Sequence, residues 1–342
     1  MHMKAVAVLE PGKAAVVNDV PEPVLGDYQS LVKIHTCGFC NGTDMQIIND
    51  TIGGPDKPAW FPTILGHEGC GEVVEIGPKV RHIHLGEKYI RPDKASDYGK
   101  YSVTFGNMAE YAVAVDRKAM LEDGFSPEDL PSDNNCGKLP DYVSFEDGAV
   151  ALSMLECISA VHNFGIADAK KVLIYGAGPM GLGVAGYLKA KGTEVTMVDR
   201  NPSRLEYADQ QIGLRTVNTG EIDIHSALGN ERFDAVVDIV GLSSILMEGT
   251  NFLVQGGKLC GMGVLKVSDN GFDVHKMQNN TSFHFLNFPY RRLYYMDEMA
   301  SLIESGKLKL SDYYTDVMPA EDIQKCIEKI KTQQALKVVL TF

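Results

Sequence analysis

The sequence of 342 residues predicts a two-part α/β protein, an antiparallel β-rich domain followed by a doubly wound parallel sheet. Three observations carry this reading. The first thirty-odd residues are short Val/Ile-rich runs broken by Pro11-Gly12 and by Pro21 and Pro23. From Lys170 onward, apolar runs alternate with helical segments, the pattern of parallel strands joined by crossover helices. Finally, the closing run KVVLTF at 337–342 is a strand that most simply returns to the first domain. The expected division is 1–150 with 285–342 for the β-rich domain and 151–284 for the parallel sheet.

Taken in order, KAVAVLE, AAVVNDV and SLVKIHT read as strands, and MQIIND as a short helix after Cys37-Gly-Phe-Cys40. The alternating run after Gly66-His67-Glu68 makes that segment a loop entering a strand, and GEKYI and MAEYAVAV follow as further strands. Residues 116–140 are polar and read as an irregular excursion. A helix is expected from Phe145 to Val161. Later elements are the helix SRLEYADQQ, the strand FDAVVDIVG, the helix SSILMEGTNFLV and the strand GGKLCGMGV. An aromatic loop from about Phe283, a helix near Met296–Ser305 and the helix AEDIQKCIEKIK complete the chain.

Composition narrows the function classes. A net charge of −13 repels phosphate and argues against nucleic-acid or acidic-membrane partners. No run approaches the roughly 18 apolar residues of a membrane span, and no signal peptide is visible. Seven scattered cysteines, an odd number, do not form a disulfide framework and point to a reducing, cytoplasmic compartment.

The most informative stretch runs from Lys170 to Arg200. The apolar run Val172–Tyr175 breaks into Gly176-Ala-Gly178-Pro179-Met180-Gly181, a small-residue helix follows, and a second apolar run ends at Asp199. This order opens a dinucleotide-binding unit. Gly176 allows the tight turn, Gly178 the approach of a pyrophosphate to backbone, and Gly181 close helix–strand packing, with the phosphates at the helix N-terminus. Asp199 would accept the ribose hydroxyls, which favours NAD over NADP, while Arg200 weakens that discrimination. Arg204 is placed either near the adenosine or as a solvated helix residue.

Upstream lie residue types that bind zinc. Cys40 and His67, 27 positions apart, sit on two loops of one β domain. Taken alone, the Cys37–Cys40 pair could be a redox couple or two buried thiols, the redox reading being weak because no strand–helix–strand unit follows, and a lone His in a strand-entry loop is commonly structural.

Together, TCGFCNGTD, GHEGCGEVVEIG, a helical Glu and VLIYGAGPMGL with VDRNPSRLE resemble the zinc-dependent medium-chain dehydrogenases, the alcohol, polyol, threonine and glucose dehydrogenase group. The resemblance implies a GroES-like catalytic domain and a Rossmann dinucleotide-binding domain. It also implies Cys40 as a zinc ligand, with Cys37 as alternative because Asn41 is inserted before Gly42-Thr43-Asp44. His67 would be a ligand and Glu68 a ligand or a neighbouring acid. Asp44 would hold the ring of His67 by a hydrogen bond. Glu156, before the nucleotide unit, would be the third protein ligand. A second, structural zinc is not expected, since 92–107 contains no cysteine.

The implied chemistry is oxidation of a secondary alcohol, polyol or sugar hydroxyl, with zinc as Lewis acid, Thr43 passing the proton and NAD taking the hydride in a cleft between the domains. The relay His of some relatives is Gln46 here, and His284 and Asn287 are candidate pocket residues. The resemblance further implies a homodimer or homotetramer. Two other readings stay open: a zinc-free quinone or enoyl reductase of the same fold using NADPH, and a non-catalytic NAD-binding protein.

Overall fold

The computed structural model describes residues 1–51, 60–131, 136–264, 269, 271, 273–277, 280–286 and 290–342, leaving aside the side chain of Lys276. The chain forms two compact units, Met1–Leu152 with Tyr314–Phe342, and Ser153–Tyr313. It therefore re-enters the first unit at Tyr314 rather than at 285. The reason is local: Ser282–Phe285, expected as an aromatic loop, is a strand added in parallel to the edge of Leu253–Gly261.

In the first unit the strand Gln29–Gly38 is central. Its Val, Ile and Thr residues alternate toward the interior, with Ser30, Val32, Ile34 and Thr36 buried, as a half-buried strand requires. Antiparallel neighbours lie on both sides. Glu68–Ile76 pairs Cys37 with Gly69 and Gly38 with Glu68, while Val338–Thr341 pairs Leu340 with Cys37 and Val339 with Gly38. This register fixes which residues can meet, because a slip of one residue would turn every side chain to the other face. It brings the loop after Gly38, the entry to Glu68 and the C-terminal strand to one place. A smaller four-stranded sheet is built around His2–Glu10. The excursion at 116–140 is partly regular: Asp116 caps the helix Arg117–Glu122 by accepting from Ala119 N–H, and Gly137–Leu139 is a strand.

The second unit is a six-stranded parallel sheet in the spatial order Arg215–Asn218, Glu194–Asp199, Lys171–Tyr175, Phe233–Asp238, Leu253–Gly261, Ser282–Phe285. Its two central strands are apolar on both faces, as expected where helices cover the sheet. Leu173, Tyr175, Val198, Phe233, Val236 and Leu259 share one core with the following helices. The strand Leu253–Gly261 starts earlier than the sequence suggests, because the helix Ser243–Gly249 gives way to the short turn Thr250–Phe252. No described helix is long and apolar enough to cross a membrane.

One surface cluster ties two strand starts together. Glu231 accepts from Arg215 at 2.7 and 2.8 Å and from Lys171 at 2.8 Å, and these two cations lower its pKa to about 2. A carboxylate with a depressed folded-state pKa stabilises above its unfolded value and loses that contribution as pH falls toward the folded one. We expect Glu231→Gln to cost about 1 kcal/mol at neutral pH, after allowance for solvent screening. In urea unfolding the difference from the parent should shrink between the ordinary carboxylate range and about pH 2.

Candidate active site

The first unit gathers three metal-ligand groups: the Cys40 sulfur, a His67 ring nitrogen and a Glu68 oxygen lie within 4.8 Å of one another. The register described above makes this possible, since Cys40 follows Gly38 and its neighbour strand begins at Glu68. Cys37, the alternative thiol, is outside this cluster and wholly buried, and burial pushes its pKa well above the ordinary value. Cys40 is partly exposed, and its sulfur receives the Thr43 N–H at 3.4 Å.

Asp44 links the two ligand loops. Fully buried, it accepts from the Cys40 N–H at 2.8 Å and from the Gly66 N–H at 3.4 Å. Its expected hydrogen bond to His67 is not made. The Nδ1–Oδ1 separation is 3.8 Å, beyond hydrogen-bond range. Nδ1 is buried with no hydrogen-bond partner among the described residues. Burial alone would lower the His67 pKa, but the Cys40 sulfur, Asp44 and Glu68 outweigh it and raise the value to about 9. A sulfur, a carboxylate and an imidazole nitrogen so close together suit a zinc ion.

A residue unremarked in the sequence completes this cluster. Lys337, 3% exposed, places Nζ 2.5 Å from Glu68 Oε2. Only glycine fits between them: a Cβ on Gly38 would lie 2.6 Å from Glu68 Oε2 and 3.1 Å from Lys337 Cε. The backbone flanking Lys337 also holds the Cys40 loop, for Leu336 O accepts from Asn41 Nδ2 at 2.9 Å and Val338 O from Phe39 N–H at 2.8 Å. Phe105 is a second unanticipated neighbour, its ring centroid 5.2 Å from that of His67. No local pattern marks Lys337; a single cation before an apolar strand ordinarily faces solvent.

In the second unit, Gly176 has φ +106°, and a Cβ on Gly181 would lie 1.8 Å from Gly176 O, so both positions require glycine. Gly178 caps the helix Pro179–Ala190 and faces open space, where a Cβ would meet only Arg204 Nη1, at 3.9 Å. Gly176, Gly178, Asp199, Arg200 and Arg204 line a cavity of about 660 Å³. Pro179, Met180 and Gly181 do not line it; they form the first turn of the helix. Asp199 accepts from Ala177 N–H at 2.7 Å through one oxygen, and from Arg200 and Asn201 N–H at 2.7 and 2.9 Å through the other. Glu156 belongs to this unit, and its Oε1 accepts from Arg292 Nη1 at 3.1 Å. His284 lies in the edge strand Ser282–Phe285, and Asn287 lies outside the described residues.

Residues 26–122 match the family model of the alcohol dehydrogenase GroES-like domain, and residues 179–304 match that of the zinc-binding dehydrogenases, together well over half of the chain. The chain belongs to the zinc-dependent medium-chain dehydrogenase family. This medium-chain dehydrogenase is 29% identical to the L-threonine 3-dehydrogenase of Aeromonas salmonicida (strain A449), over 99% of each chain. It is 28% identical to that of Shewanella sp. (strain W3-18-1), over 99% of this chain and all of the relative. Its fold matches that of the alcohol dehydrogenase TADH from Thermus sp. ATN1 (TM-score 0.80, 22% identity, 99% of each chain). It also matches that of 2R,3R-butanediol dehydrogenase from Bacillus subtilis (TM-score 0.80, 21% identity, 99% of each chain). It is therefore an oxidoreductase for small molecules, and the family implies zinc and a nicotinamide cofactor.

Two expectations follow for this medium-chain dehydrogenase. Lys337→Met strands a buried carboxylate and should destabilise the chelator-treated protein by about 3–5 kcal/mol in denaturant unfolding, with Lys337→Arg losing less. Gly181→Ala forces its methyl into Gly176 O and should weaken dinucleotide binding at least tenfold by titration calorimetry.

Proposed function

We propose that the protein oxidises a secondary alcohol, polyol or sugar hydroxyl with NAD, using one zinc ion held by Cys40, His67 and Glu68. The observation that carries this reading is the convergence of those three donors, with their ligand atoms within 4.8 Å of one another. It is supported by a glycine-turn cavity bearing Asp199 in the same chain. When bound, the ion would supply Lewis acidity toward a substrate oxygen.

The chain's own residues then divide the remaining tasks. Asp44 holds the Cys40 and Gly66 backbones, so the ligand loops are set before any ion arrives. Lys337 takes one oxygen of Glu68. Thr43, whose N–H touches the Cys40 sulfur, is assigned the transfer of the hydroxyl proton. Glu156, which belongs to the second unit and accepts from Arg292, is left outside the proposed donor set. Arg200 and Arg204 line the dinucleotide cavity, but so does the Asp199 carboxylate, whose charge would disfavour a 2′-phosphate, and this supports NAD.

The relatives named for L-threonine act on a secondary alcohol, which agrees with this substrate class and adds L-threonine to the candidates. A homodimer or homotetramer is the proposed assembly. The outer strand Ser282–Phe285 leaves Phe283 and Phe285 39% and 42% exposed at the end of the sheet, and light scattering would report the subunit number.

The deciding experiment is an NAD- and NADP-reduction screen over L-threonine, vicinal diols, polyols, sugars and simple secondary alcohols, with zinc measured in parallel. We expect about one zinc per chain, turnover with at least one secondary alcohol, and NAD preferred about tenfold or more. Cys40→Ala should lose both zinc and turnover, whereas Glu156→Gln should keep its zinc. Full turnover in a zinc-free Cys40→Ala protein would sink the metal assignment, and exclusive use of NADPH on quinones would replace the reaction.

A further inference from the structure

The cavity of the second unit holds a polar pair that phosphate and ribose binding do not account for. Beyond the glycine turn and Asp199, its wall mixes polar groups with the apolar side chains of Ile222, Ile224, Val240, Leu242 and Ile245. Such a surface suits the faces of a purine ring. Three carboxylates also line the cavity. Asp199 accepts three backbone N–H groups, and Asp223 accepts the Ser226 N–H at 3.0 Å as a helix cap. Glu248 is different. Its Oε1 accepts from the Tyr175 hydroxyl at 3.1 Å, and among the described residues Oε2 has no hydrogen-bond partner.

Tyr175 is 3% exposed and ends the strand that leads into Gly176. Burial, reinforced by the charge of Glu248, holds its phenol far above the ordinary pKa, so it remains a donor. Glu248 is thereby fixed by one oxygen and presents the other as an acceptor that cannot donate.

We propose that Glu248 selects the purine of the dinucleotide, accepting the exocyclic 6-amino group of adenine at Oε2 and rejecting a 6-oxo purine. The assignment rests on the cavity being a nicotinamide dinucleotide site. Adenine offers an N–H at position 6, whereas hypoxanthine offers a carbonyl oxygen there. Two acceptors facing one another lose a hydrogen bond and repel, and in a part-enclosed cavity water replaces the lost partner incompletely. Tyr175 is a positioning residue in this arrangement.

Binding rather than turnover tests the proposal, since no alcohol substrate is needed. The probes are NADH and reduced nicotinamide hypoxanthine dinucleotide, titrated by nicotinamide fluorescence, with ADP-ribose and its inosine counterpart measured calorimetrically. The parent protein should bind the adenine forms about tenfold or more tightly. In Glu248→Gln the amide can accept from an amino group or donate to an oxo group, so the ratio should fall toward one while NADH still binds. Tyr175→Phe leaves Oε2 in place and should keep most of the preference, which separates loss of the carboxylate from general disturbance of the cavity. Equal affinity of the parent for both bases, or an unchanged ratio in Glu248→Gln, overturns the proposal. Binding of neither dinucleotide would overturn the cofactor assignment and this one with it.

Discussion

The metal-type cluster depends on a buried ion pair between residues far apart in the chain, Glu68 and Lys337. Burying either charge alone would cost several kcal/mol, so the pair is tolerable only if both arrive together with good geometry. The antiparallel register on either side of Gln29–Gly38 meets that condition, and Gly38 leaves room for the contact. Removing the side chain of Lys337 would leave Glu68 and Asp44 facing the Cys40 sulfur and His67 with no lysine among them. The C-terminal strand is thus part of the site and not simply the last strand of the sheet.

Much of the fold was legible because its signals are local. Alternation and proline punctuation mark the first three strands, and the spacing of Gly176, Gly178 and Gly181 encodes a turn with one sterically allowed solution. Where the reading failed, local preference met a tertiary constraint. Ser282–Phe285 looks like an aromatic loop but becomes a strand because Leu253–Gly261 offers an unpaired edge. Asp116, in a stretch that reads as irregular, nucleates a helix by capping it. Within the site, Cys40, His67 and Glu68 were visible through their spacing and family resemblance. Lys337 was not, because its role is set by a strand pairing across some three hundred positions.

The expected bond from Asp44 to His67 illustrates a further limit. The residue types were right, and both are buried, but Asp44 is held by two backbone N–H groups and stands off the ring by 3.8 Å. Spacing in a sequence shows that two groups belong to one site. Which of several donors a carboxylate serves depends on backbone placement at the level of half an ångström, where hydrogen bonds are made or lost.

The same competition governs Glu156. Its carboxylate has the chemistry of a zinc ligand and a position before the nucleotide unit, yet in the folded second unit it meets Arg292 at 3.1 Å. Both partners are partly shielded, with side-chain exposures of 25% and 17%, so the pair is screened less than a surface salt bridge. A divalent ion carries twice the charge of a guanidinium and would win at equal distance, but distance is what the backbone decides. An ion drawn to that oxygen of Glu156 would therefore compete with the Arg292 contact. Cys40, His67 and Glu68 bring their ligand atoms together within one unit, with Lys337 on one oxygen of Glu68. Preorganisation within one unit, beyond ligand chemistry, is what marks these three donors.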